Sequence, residues 1–134
     1  MTEMLKNGTR RIYPPSDDRH AWDGIPEENR REILELAETY AKIPYPMRTA
    51  SGFLAFSRTG DRQADEKPYF TRRRKLCVSV LHSCAFPGTI PDEITDGIWM
   101  ICEESSWVIS AHNVNPVPGA PSAAEAPLPD IRKP

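Results

Sequence analysis

Glu103 and Glu104, followed by Trp107, His112 and Asn113, make the only cluster of polar and aromatic side chains at the end of an expected element. The ends of rigid elements are where binding sites tend to sit. An indole can stack on a sugar ring, and an imidazole or carboxamide can hydrogen-bond hydroxyls or a carboxylate. These five residues are therefore the candidate substrate-binding set, with no catalytic step assigned to any of them. The competing reading is structural: Trp107 packs the end of a helical hairpin, and the two glutamates cap it or pair with arginines.

Other chemistries fare worse. Glu103 and Glu104 diverge by about 100° on a helix, and no His/Glu pair has the i, i+4 spacing that places two ligands on one face, so no metal site is expected. Cys102 and His112 can be drawn as a nucleophile and base, but a small buried thiol is the commoner role. Arg72, Arg73, Arg74 and Lys75 suggest a clamp for a polyanion. Four consecutive helical residues spread around the whole circumference, however, and only Arg72 and Lys75 share a face. A solvated, partly ion-paired collar is the expectation, and without interleaved aromatics nothing points to nucleic acid.

The elements that must position these residues read as helices. Pro26 opens the first, with Glu27 and Glu28 at the positive end of its dipole. Ile33, Leu36, Ala37, Tyr40 and Ala41 form its apolar stripe, and Pro44 and Pro46 stop it. Thr49 to Arg58 suits a short helix capped by Thr49 or a buried strand, with the helix preferred and Gly60 as a left-handed stop. Asp61 to Lys67 reads as a polar connection. The longest helix is expected from Pro68 to Ala85, with Cys77, Val80, Leu81 and Cys84 as its core stripe. After Phe86-Pro87-Gly88, Thr89 and Asp92 can form a capping box, with Pro91 in the first turn. The next helix, 91 to 104, carries Ile94, Gly97, Ile98, Ile101 and Cys102 at helical spacing, so the last two helices should form an antiparallel hairpin. Ile98 to Cys102 is apolar on every side of that helix, which needs more cover than the other helices can give. Residues 1 to 25 read as an irregular lead-in ending near Trp22, 26 to 114 as the helical domain, and 115 to 134 as an extended Pro-rich segment holding six of the 14 prolines.

A chain of 134 residues with 39% hydrophobic and 27% charged side chains can build one modest core. A net charge of −2 supplies no global field to draw in nucleic acid or an anionic membrane. No stretch reaches the length of a membrane span, and no apolar leader follows Met1, so a cytoplasmic location is expected. Cys77, Cys84 and Cys102, an odd number, read as reduced thiols.

The segment from Asp96 to Val114, with Glu103-Glu104-Ser105-Ser106-Trp107 at its centre, closely resembles a stretch near the N-terminus of heparinase II/III-like polysaccharide lyases. Arg58-Thr-Gly-Asp-Arg and Tyr69-Phe-Thr-Arg-Arg-Arg-Lys-Leu match the same stretch in order and spacing, so the resemblance covers residues 44 to 134. It implies an all-α fold in which helical hairpins begin an (α/α) toroid, and a parent enzyme that cleaves uronic-acid-containing polysaccharides by β-elimination. Such chemistry needs a base near the uronate C5 proton, an acid at the leaving oxygen and a group that neutralises the carboxylate. In the family these roles fall beyond the stretch matched here. The expectation is thus the opening part of a toroid, inactive alone, with no catalytic residue, metal or cofactor and an acidic polysaccharide as the parent's partner. The alternative is a small helical interaction module that self-associates through helix 91 to 104.

Overall fold

The computed structural model of the chain describes residues 13 to 88 and 92 to 112. Helix α1 spans Arg19–Asp23, α2 Glu27–Ala41, α3 Ala50–Thr59, α4 Gln63–Ala85 and α5 Asp92–Cys102, and a 3-10 turn covers Ser110–His112. The described residues contain only helices and connections.

The local chemistry that starts and stops these helices is plain at α3. The Thr49 hydroxyl accepts a hydrogen bond from Gly52 N at 3.0 Å, and Gly60 ends the helix with φ 77°, a left-handed conformation that costs glycine nothing. A buried strand over 49 to 58 is thereby excluded. The Asp18 carboxylate likewise caps α1 by accepting from Ala21 N at 3.1 Å. The expected irregular lead-in therefore contains one helical turn, whose Trp22 is buried and donates its indole N–H to Pro15 O at 2.8 Å.

Helix α4 is the spine, the one described helix that packs against each of the other four. It begins earlier than expected. Asp61 Oδ1 accepts from Gln63 N at 2.9 Å, and Asp65 and Glu66 follow in the first turn, so the polar connection is absorbed into the helix and Pro68 lies inside it. A proline there removes one helical hydrogen bond, that to the carbonyl of Ala64. Gly52 of α3 lies against that carbonyl so closely that a side chain would collide with it.

Partners step down α4 as they step up α5: Ser79 Oγ bonds Glu93, Leu76 abuts Gly97, and Arg72 bonds Glu104. The expected antiparallel hairpin is present. Thr89 of the expected capping box with Asp92, and the first-turn Pro91, lie outside the described residues, as do 1 to 12 and 113 to 134.

What the hairpin buries differs from expectation. The inward face of α4 is Asp65, Arg72, Lys75 and Ser79, all buried and all polar, at spacings of seven, three and four residues. The expected core stripe of α4 lies on the other side: Cys77, Val80 and Leu81 are exposed and Cys84 half-buried. The expected collar is corrected in the same way, since Arg72 and Lys75 do share a face but it is the buried one. On α5, Ile94 and Gly97 are buried, whereas Ile98 is 51% and Trp99 65% exposed. Among the described residues, the buried apolar side chains are Trp22, Ala85, Ile94 and Ile109.

Candidate functional site

The polar face of α4 organises two clusters. At its C-terminal half, the Lys75 ammonium donates to Tyr40 O at 2.8 Å and Ile43 O at 2.5 Å, adding a charged donor to carbonyls at and just past the end of α2. It also pairs with Glu93, whose second oxygen accepts from Ser79 at 3.3 Å. The Tyr45 hydroxyl donates to Glu93 O at 3.0 Å. Burial first, then the charges of Glu93 and Asp96, pushes the Tyr45 phenol up to about 12.

The second cluster centres on Glu104, whose side chain is 2% exposed. Its carboxylate accepts from Arg72 Nη1 at 3.0 Å, from Arg73 Nη1 at 3.2 Å and Nη2 at 2.7 Å, and from Arg48 Nη1 at 3.4 Å. Burial alone would raise this carboxyl. The hydrogen bonds of Arg73 and Arg72 and the charges of Arg73 and Arg48 outweigh it and hold the group below the ordinary carboxylate range. Arg48 also forks onto Asp65, through Nε at 3.0 Å and Nη2 at 2.8 Å, and donates to Ser106 O and Val108 O. Asp65 in turn accepts from Ser110 N at 2.9 Å. The segment after α5 is thus fastened to α4 and to the stretch just before α3 by charge-assisted bonds, beside the buried Ile109.

The five candidate residues do not converge. Glu104 is committed to the arginines. Glu103 is exposed beside it at the mouth of a cavity of about 670 Å³ between the start of α3 and the end of α5. Trp107 stands 64% exposed, held by its indole N–H to Ile101 O at 3.1 Å and by its own carbonyl, which accepts from the Tyr69 hydroxyl at 3.1 Å. Arg73 stacks on that Tyr69 ring, 3.4 Å from its centroid. His112 is exposed in the 3-10 turn, away from the cavity lining, and Asn113 lies outside the described residues.

Arg48 and Asp65 were missed in the sequence. Each sits near an element start, where a charged residue reads as solvated, and 17 positions separate them. The one available signal is the heptad-like spacing of Asp65, Arg72 and Ser79, which would have been weighed only by a search for polar stripes. Among the described residues no group of three or more His, Cys, Asp or Glu side chains could hold a metal ion, and no helix is long and apolar enough to cross a membrane. In comparison with known proteins, the chain matches no family model and no curated protein.

Proposed function

We propose that this chain is the opening part of the helical toroid of a heparinase II/III-like polysaccharide lyase and does not itself catalyse β-elimination. The observation that carries this reading is the outward apolar surface: Cys77, Val80 and Leu81 on α4, and Ile98 and Trp99 on α5, face solvent while the buried face of α4 is ionic. Large apolar side chains left in solvent in this way suit an interface. Helical hairpins laid side by side in a toroid supply that cover, and residues 44 to 134 resemble that family in the order and spacing of their motifs.

Within this reading, Trp107 and Glu103 remain the substrate-facing residues. Trp107 offers a ring fixed at two points, suited to stacking on a sugar, and Glu103 offers a free carboxylate to sugar hydroxyls. The parent's partner is an acidic polysaccharide. The three free thiols suit a reducing compartment such as the cytoplasm.

The reading is tested by the coding sequence past codon 134 and by activity. Continuation into an Asn- and Tyr-rich helical segment is expected, and ultraviolet detection of unsaturated uronate should show no turnover of heparan sulfate, hyaluronan or alginate by this chain alone. An immediate unrelated gene, or reproducible turnover by residues 1 to 134, would overturn it. The exposure of Ile98 and Trp99 equally suits a module that pairs with its own copy. That second reading requires a dimer whose formation depends on concentration and is abolished by Trp99→Glu.

A further inference from the structure

We infer that the cavity between the start of α3 and the end of α5 binds a small primary amine with an apolar body, a site that stands independently of the lyase reading. Its volume of about 670 Å³ lies within the range of small-molecule sites. Met47, Ala50, Phe53 and Met100 supply its apolar wall. The thioethers are soft and adaptable, and together with the Phe53 ring they suit an aromatic or aliphatic body.

The charged lining decides which ligand is preferred. Two arginines, Arg48 and Arg72, face three carboxylates, Asp65, Glu103 and Glu104. Both guanidiniums are matched: Arg48 pairs with Asp65 at 2.8 Å and Arg72 with Glu104 at 3.0 Å. Arg73, a further partner of Glu104, is not part of the lining and stacks on the Tyr69 ring. Glu103 is the carboxylate left over, exposed at the mouth and in no ion pair among the described residues. The lining therefore carries one negative charge in excess, on the side where a ligand enters. The helix ends reinforce this polarity. Helix α5 stops at Cys102, so the negative end of its dipole falls beside Glu103, while the positive end of α3, capped by the Thr49 hydroxyl, lies on the other side of the cavity. An ammonium is thus favoured at Glu103 with the apolar body resting on Phe53 and the methionines, and a carboxylate at the same place would be repelled.

The test is an NMR titration of the full chain with phenethylamine and with phenethyl alcohol, its neutral counterpart, following the methyl signals of Met47 and Met100. Phenethylamine should shift both signals saturably and bind about threefold to fivefold more tightly than the alcohol, as an exposed ion pair allows. Glu103→Gln removes the charge at an exposed position outside the buried ionic cluster. It should leave the melting temperature unchanged and bring the two ligands to equal affinity. High salt should close the same gap in the unsubstituted chain, because the pair is open to solvent. Equal affinities in the unsubstituted chain at low salt, or no saturation, would overturn the proposal. An amine preference that survives either Glu103→Gln or high salt would do so as well.

Discussion

Glu104 holds three guanidiniums at once, so removing its charge leaves them buried against one another. Breaking a buried ion pair from one side typically costs about 3–5 kcal/mol. Glu104→Gln should lower stability by that order in urea denaturation, with circular dichroism as the readout. The same residue fixes the acid limb. Because its folded pKa is depressed, its contribution is complete above the unfolded value of about 4.3 and is lost as pH falls through the lower folded value. Stability should therefore be level between about pH 7 and pH 5 and fall below about pH 4, with Glu104→Gln flattening that fall. Gly97 is the second decisive residue. A methyl group there would overlap the Tyr45 hydroxyl and crowd Leu76. Gly97→Ala gains about 1 kcal/mol of helix propensity, and overpacking costs about 1–3 kcal/mol. A net loss is expected, relieved in the Tyr45→Ala background, where a double-mutant cycle should show coupling.

At the scale of elements, the joint between α2, α4 and α5 rests on Lys75, Glu93 and Tyr45. Tyr45 has a folded pKa of about 12 against about 10 in an unfolded chain. Its neutral form is the one the fold favours, so its contribution is intact below about pH 10 and disappears as pH rises towards 12. Phenolate absorbance should show one tyrosine titrating last, and Tyr45→Phe should remove that step. The existence of α2 to α5 was legible in the sequence because caps and stops are local: Thr49, Gly60, Pro44 and Phe86-Pro87 act within a turn or two of the chain, whereas the short α1 was read as irregular lead-in. The hairpin followed from two adjoining helical patterns and a short turn. Which side of α4 faces inward was not legible. Periodicity assigns the apolar stripe of Cys77, Val80 and Leu81 to the core, whereas partners more than 15 positions away, such as Arg48 for Asp65 and Glu104 for Arg72, draw the ionic stripe inward. The candidate site shows the same division. Glu104 pairing with arginines was one of two readings open from the sequence, and the identity of those arginines depended on the fold.

At the scale of the whole molecule, a core with four buried apolar residues among those described leaves the ionic clusters to set geometry and the outward apolar faces to seek cover. Buried ion pairs are weak contributors to net stability, since desolvation offsets much of their attraction. Coverage of Val80, Leu81, Ile98 and Trp99 by further hairpins would then supply the apolar burial that the described helices lack. The most direct measurement is hydroxyl-radical footprinting of Leu81, Ile98 and Trp99, in residues 1 to 134 alone and in the longer polypeptide proposed as its parent. All three positions should label readily in the short chain, at concentrations where it is monomeric, and become protected in the longer one. Protection of these side chains already in the short monomer would contradict the account.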